Sequence, residues 1–180
     1  MLDKKKALNA ILYVSGKLKP EECGLHKIFK ILWFAEIAHM REYGRFITGD
    51  SYVKMEHGPV PSYLYDVLKG IRDSKPEYEE YRRIFSVVGH AVKPLLEPDL
   101  DYLSESDIEQ LDKSIDDNRK LSFGQIADKS HGKAWSKSID NDFISLEDIL
   151  EEIQMDSEER SLILENHEFL NAISAARAYA

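Results

Sequence analysis

The stretch Gly24-Leu-His-Lys-Ile-Phe-Lys-Ile-Leu-Trp-Phe-Ala-Glu-Ile-Ala-His-Met-Arg-Glu-Tyr43 organises the fold of this chain. Its apolar residues recur every three or four positions over about five turns, which predicts a helix with a wide buried face. Gly44 follows directly, and glycine is the residue type that most often ends a helix. We therefore expect a central core helix from Gly24 to Tyr43.

The segments around this helix alternate between helical and extended patterns. Lys4 to Ser15 has helical spacing of its apolar residues, and Pro61-Ser62 is typical of the start of another helix. Residues 45–60 are punctuated by glycine and proline, which indicates short strands or extended loop. Residues 84–96 are interrupted by Gly89-His90 and predict a β-hairpin.

The second half of the chain is predicted to be helical. Ser104 to Asp107 matches a capping box, and similar N-terminal signals recur at Ser145 and Asp156. A further helix should begin near Ser122 and turn Phe123 inward. The whole pattern predicts an α+β fold that is predominantly α-helical, with a helical core and a few short antiparallel strands.

Length and composition agree with a compact domain that carries an added segment. The chain has 180 residues, of which 43% are hydrophobic and 32% are charged, and these values exclude a wholly disordered chain. We expect a domain over residues 1–138 and a C-terminal helical extension over residues 139–180, packed on it or beside it.

Charge and cysteine content restrict the partners and the compartment. The net charge is −9, and the second half is far more acidic than the first, so it repels phosphates and makes nucleic-acid binding unexpected. No uncharged stretch approaches the roughly 20 residues that span a bilayer. Cys23 is the only cysteine and cannot form an internal disulfide. A cytoplasmic protein without a membrane partner is expected.

Motifs that carry catalysis or hold a cofactor are missing from the sequence. It contains no phosphate-binding loop, no nucleophile elbow and no zinc-binding spacing. Glu36-x-x-His39 has the spacing of a helical metal pair but lacks a second copy, so we interpret it as a partly exposed polar helix edge. We therefore expect no catalytic residue, no metal and no cofactor. An enzyme would instead require a pocket with perturbed acid or base groups around His57 or His131.

The unusual local feature is the run from Gly49 to Tyr65. Its pattern predicts a strand that ends at a rigid Gly58-Pro59 corner, followed by a helix. Aromatic side chains and Met55 surround that corner. They are typical either of core packing or of a recognition surface, and the sequence leaves both interpretations open.

This run resembles the SocA-like antitoxin family, also called the Panacea domain, which occurs in phage-associated and toxin–antitoxin proteins of bacteria. The first matching block consists of Trp33, Tyr43-Gly-Arg-Phe-Ile-Thr-Gly-Asp50, Tyr52, His57-Gly-Pro-Val-Pro61 and Leu64-Tyr65. The second consists of Leu103-Ser-Glu, Leu121-Ser-Phe, Ser130-His131 and Ala134-Trp135. Together the two blocks cover about residues 8–138 of the chain.

The resemblance implies a binding protein that is not an enzyme. Family members neutralise diverse cognate toxins, usually by direct contact, and one member is a proteolytic adaptor that delivers its toxin to a AAA+ protease. The expected partner is a cognate toxin encoded next to this protein, bound in an apolar, tyrosine-lined groove near the Gly-Pro corner. Acidic helices beside that groove would attract a basic toxin.

Several alternatives stay open. The protein could deliver its toxin to a AAA+ protease or act as a DNA-binding autorepressor of its operon, although no basic recognition helix is visible. An exposed apolar stripe on the last helix would favour a homodimer. The candidate toxin-binding or family-motif residues are Trp33, Tyr52, Met55, His57, Gly58, Pro59, Tyr63, Tyr65, His131 and Trp135.

Overall fold

A computed structural model describes residues 1–178, and it describes side chains throughout except at positions 171, 174, 175, 177 and 178. The helices are α1 (Lys4–Lys17), α2 (Leu25–Tyr43), α3 (Ser62–Arg72), α4 (Glu105–Asn118), α5 (Phe123–Ser130), α6 (Lys133–Lys137), α7 (Leu146–Glu152) and α8 (Ser157–Ala178). The strands are β1 (Tyr52–Met55), β2 (Gly58–Pro61), β3 (Phe85–Val88) and β4 (Ala91–Pro94). Short 3-10 helices cover Pro20–Glu22, Pro76–Arg83 and Leu100–Tyr102. The predicted α+β class, predominantly helical, is confirmed.

Helix α2 is the centre of the molecule, as its wide apolar face predicts. It packs against α1, α4, α5 and β2, and its own backbone ends at Gly44, which adopts a left-handed conformation. Apolar side chains from these elements form one core, whose fully buried members include Ile11, Ile28, Ile31, Leu32, Leu64, Leu68, Leu111, Ile115 and Ile126. At roughly 1.5–3 kcal/mol for each buried aliphatic side chain, this core is the main source of stability.

The two hairpins lie on opposite sides of α3 in the sequence. In the first, Tyr52 pairs with Pro61 and Met55 pairs with Gly58, so the turn consists of Glu56 and His57. The predicted corner at Gly58-Pro59 is therefore wrong in detail, because these two residues form the start of β2. The second hairpin, β3–β4, turns at Gly89-His90 as predicted.

Buried polar side chains hold the loop between α2 and β1. The Glu36 carboxylate accepts hydrogen bonds from the backbone N–H groups of Ile47 (2.5 Å) and Thr48 (3.0 Å), while one ring nitrogen of His39 donates to the Arg45 carbonyl (2.9 Å). Both side chains are fully buried, so the prediction of a partly exposed helix edge is wrong. Each has its own backbone partner, and within residues 1–178 no cluster of histidine, cysteine or acidic side chains is placed to hold a metal.

The segment after α6 joins the core through β1. Ile144 N donates to the Tyr52 carbonyl at 2.8 Å, and Val53 forms an antiparallel bridge with Phe143. Ile144 and Ile149 then pack in the same cluster as Trp33. The segment therefore completes the packing around one face of α2.

Helix α8 packs less closely on the core than the segment before it does. Its half-buried Ile163 and Leu164 pack on the cluster around Met40, whereas Leu162 is 59% exposed and Phe169 is 65% exposed. No helix among the described residues is long and apolar enough to cross a membrane. The last two positions of the predicted extension, 179 and 180, lie outside the described residues.

Candidate functional site

A groove of about 840 Å³ opens beside the β1–β2 turn, and we call it the Gly-Pro groove. Its walls come from the first turns of α2, the turn between the two strands, the start of α5 and one side of α3. The residues that line it include His26, Lys27, Phe29, Lys30, Met55, Glu56, His57, Gly58, Tyr65 and Phe123. Elements far apart in sequence meet here because β2 and α5 both pack on α2.

Three aromatic rings form one rim of the groove. The rings of His26 and Phe123 stack with centroids 4.0 Å apart, and His57 meets Phe123 edge to face at 5.1 Å. Phe123 is 54% exposed, so the prediction that it turns inward is wrong. It is the first residue of α5, where the helix starts beyond the edge of the core. An exposed phenylalanine held between two imidazoles is suited to a protein contact.

The imidazole of His26 is neutral at physiological pH. Burial, followed by the charge of nearby Lys30, lowers the pKa of His26 to about 4. Its Nε2–H donates to the His57 carbonyl at 3.2 Å, which orients both residues of the rim. His26 therefore presents an uncharged aromatic ring at the rim.

Lys30 lies at the floor of the groove and is fully buried. Its ammonium donates to the Pro59 carbonyl at 2.7 Å. Among the described residues, no carboxylate lies within ion-pair distance of this ammonium. Burial lowers the pKa of Lys30 to about 7, because water no longer stabilises the charged form.

Gly58 allows this arrangement because it has no side chain. Its backbone φ is +97°, a conformation that other residues rarely adopt. A Cβ atom here would collide with Ser130 Oγ and would lie 2.8 Å from Lys30 Cε. The glycine of the Gly-Pro pair is thus required by the lysine and serine packed against it.

The second family block contacts the end of β1, beside the groove, through His131 and Trp135. Their rings stack with centroids 3.8 Å apart, and Trp135 Nε1 donates to the Met55 carbonyl at 3.0 Å. On the same indole lies the ammonium of Lys54, 4.7 Å from the ring centroid. His131 Nε2 is buried and has no hydrogen-bond partner within the described part of the chain, and burial lowers the pKa of this imidazole. The stacked rings of His131 and Trp135 therefore hold the β1–β2 turn in position.

The remaining predicted residues are divided between the groove and the core. Met55, His57, Gly58 and Tyr65 line the groove. Pro59 is buried beside it and accepts the hydrogen bond from Lys30.

Trp33, Tyr52 and Tyr63 do not line the groove. Trp33 and Tyr52 are each 2% exposed, and their rings pack at 4.8 Å in the core. Tyr63 lies under Lys4, with its hydroxyl 3.4 Å from that of Tyr81. The run from Gly49 to Tyr65 therefore contains both residues that line the groove and residues that are buried in the core.

The candidate residues did not include three groove side chains on which the site depends: His26, Lys30 and Phe123. His26 and Lys30 are four residues apart, so they share one face of α2 and interrupt the apolar residues of that helix. Two polar residues within the pattern of a core helix were the sequence feature that could have identified them as site residues. Phe123 lies in the second family block, but no local signal indicated that its side chain is exposed.

Replacement of Lys30 by methionine is expected to stabilise the free protein by about 1–3 kcal/mol at pH 6, because an uncompensated buried charge is removed. The folded-state pKa of Lys30, about 7, lies below the usual value of 10.5. Between these values the unfolded chain binds more protons, so wild-type stability rises with pH by up to about 1.4 kcal/mol per unit.

Denaturant unfolding at pH 6, 8 and 10 measures this effect. The advantage of Lys30→Met should be largest at pH 6 and should shrink towards pH 10. A constant difference across the three pH values would contradict the prediction.

Comparison with known proteins agrees with the two sequence blocks that form the groove. Residues 28–136, more than half of the chain, match the model of the family described as antitoxin SocA-like, Panacea domain. No curated protein and no solved structure matches the sequence. The matched range includes every groove residue from Lys30 to Phe123 and the stack of His131 on Trp135.

Proposed function

The chain belongs to the SocA-like antitoxin family, Panacea domain, and from this membership we propose that it neutralises a cognate toxin by direct protein–protein binding in the Gly-Pro groove. The observation that carries the proposal is the meeting of both family blocks at one concave site whose rim exposes Phe123. Interface centres are typically aromatic and are surrounded by polar residues, as this rim is.

Charge supports a second part of the proposal. Residues 139–180 contain eleven of the 33 acidic residues and two of the 24 basic ones, so this segment accounts for the whole net charge of −9. Such a charge attracts a basic partner over about 8 Å at physiological salt and raises the association rate. We propose that the acidic segment steers a basic toxin towards the protein, while the groove holds it.

The protein needs no catalytic residue for this role. Lys30 and His26 each donate to a backbone carbonyl, and Ser130 Oγ donates to the Ala127 carbonyl at 2.7 Å. These groups position the groove walls. We propose a non-enzymatic protein in which they shape a binding surface.

Tyr65→Ala is expected to weaken toxin binding at least tenfold, because Tyr65 lines the groove and packs on Phe29 with ring centroids 6.3 Å apart. Tyr63→Ala is the matched control, since it removes the same side chain two positions away and outside the groove. Titration calorimetry measures binding, and thermal unfolding checks that both variants fold. Equal losses of affinity in the two variants would place the toxin elsewhere.

Co-expression with the protein encoded by the neighbouring gene tests the function as a whole. Rescue of growth together with a stable purified complex supports neutralisation by binding. Rescue without a complex, but with faster loss of the toxin, would indicate delivery to a AAA+ protease. Rescue that follows reduced toxin transcription would indicate an autorepressor.

A further inference from the structure

The Gly-Pro groove contains a buried amine that has no counter-ion among the described residues. Lys30 is fully buried, and the partner of its ammonium within the described part of the chain is the neutral carbonyl of Pro59. A buried charge is normally paired, because leaving it unpaired costs several kcal/mol. The free protein therefore carries the unfavourable free energy of an unpaired buried charge at the floor of the candidate binding site.

The groups around Lys30 offer it no negative charge. His26, His57 and His131 surround it from α2, from the β1–β2 turn and from the end of α5, and the charge of Lys30 disfavours protonation of His26 and His131. The charged and titratable groups that line the groove on every side are Glu21, Glu22, His26, Lys27, Lys30, Glu56, His57, Arg72 and His90.

The carboxylates of the groove do not supply that anion. Glu22 is paired with Arg119 at 2.9 Å. Glu21 and Glu56 are exposed, and neither pairs with a cation among the described residues. The floor is therefore positive, whereas the exposed acidic groups lie at the rim.

We propose that the missing counter-ion of Lys30 is a carboxylate on the toxin segment that occupies the Gly-Pro groove. This inference rests on the proposed function and names the chemistry of its partner. The segment carries an aspartate, a glutamate or a chain terminus, next to an apolar side chain that packs on Phe123. The four side-chain torsions of Lys30 allow the ammonium to turn from the Pro59 carbonyl towards the groove, where a charge-assisted hydrogen bond is stronger than the neutral one.

The proposal predicts opposite effects of one substitution on stability and on binding. Lys30→Met stabilises the free protein, yet it should weaken toxin binding at least tenfold because the toxin carboxylate loses its partner. Lys27→Met is the matched control, since Lys27 also lines the groove but its ammonium donates to the Arg119 carbonyl at 2.6 Å. We expect less than a threefold change in that variant.

A small probe tests the carboxylate site without the toxin. Full-length protein is titrated with 3-phenylpropionate, which combines a carboxylate with an apolar ring, and amide spectra follow binding by NMR. We expect saturation on the order of millimolar concentration in the wild type, as suits so small a ligand. At least tenfold weaker binding is expected in Lys30→Met and for the neutral 3-phenylpropionamide.

The outcomes separate this inference from the proposed function. Phenylpropionate binding that requires Lys30, together with the loss of toxin affinity in Lys30→Met, supports the carboxylate. If Lys30→Met binds probe and toxin like the wild type, or if 3-phenylpropylamine binds better than the carboxylate, the inference is overturned while neutralisation in the groove stands. Failure of the wild type to neutralise any neighbouring toxin would instead remove the proposed function, and the probe would still report on Lys30.

Discussion

Gly58→Ala is expected to lower the free energy of unfolding by about 2–5 kcal/mol, a large fraction of the stability of a typical domain. Two costs add at this position. The φ of +97° lies where L-residues are strained, and the new Cβ meets Ser130 Oγ and Lys30 Cε. Ser130 is buried and its Oγ donates to the Ala127 carbonyl, so moving it away from the new Cβ breaks a buried hydrogen bond.

Gly89→Ala is the control that separates strain from crowding. Gly89 also has a positive φ, +60°, but nothing lies within 4 Å of the place that a Cβ atom would take. This variant should lose only about 1–2 kcal/mol. Urea unfolding of both variants and the wild type measures the difference. Equal losses would mean that the contacts with Lys30 and Ser130 do not restrict position 58.

A chain that ends at Ile139 is expected not to fold into the native structure. It lacks four buried aliphatic residues, Ile144, Ile149, Leu150 and Ile153, each of which is at most 7% exposed. At about 1.5–3 kcal/mol each, their loss amounts to roughly 6–12 kcal/mol, which is comparable with the whole stability of a domain. It also exposes Trp33, whose cluster Ile144 and Ile149 complete, and Met40, which packs with Leu150 and Ile153.

A chain that ends at Met155 is the matched comparison. It keeps α7 and lacks only α8, whose contacts with the core come from half-buried Ile163 and Leu164, so a loss of about 1–3 kcal/mol is expected. Circular dichroism and thermal unfolding of the two shortened chains test the contrast. A folded chain ending at Ile139 would contradict it and would support a separable extension over residues 139–180. Sedimentation equilibrium with and without α8 tests for the homodimer that an exposed apolar stripe on this helix would favour, because α8 carries the exposed Leu162 and Phe169.

The elements were predictable where one local signal was sufficient. The spacing of apolar residues identified α2, Gly44 marked its end, and the Ser104 capping box marked the start of α4. These features depend on contacts within one turn, so neighbouring residues in the sequence contain the information.

The candidate site was predictable only in part. The Gly-Pro pair and His57 were identified from the run that contains them, and they do line or border the groove. Tyr63 and Tyr65 were predicted to share a site, but side chains two positions apart on a helix point in directions that differ by about 200° around its axis. Only Tyr65 lines the groove.

The sequence by itself determined the class of the fold, the central helix, the family and the acidic charge of residues 139–180, because these follow from residue type and local order. The tertiary structure alone decided that Lys30 is buried without a counter-ion among the described residues, that Phe123 is exposed, and that Ile144 and Ile149 complete the packing around Trp33. Each of these depends on which distant segments pack together. Burial, and with it the pKa of Lys30, is a property of that packing and not of any stretch of sequence.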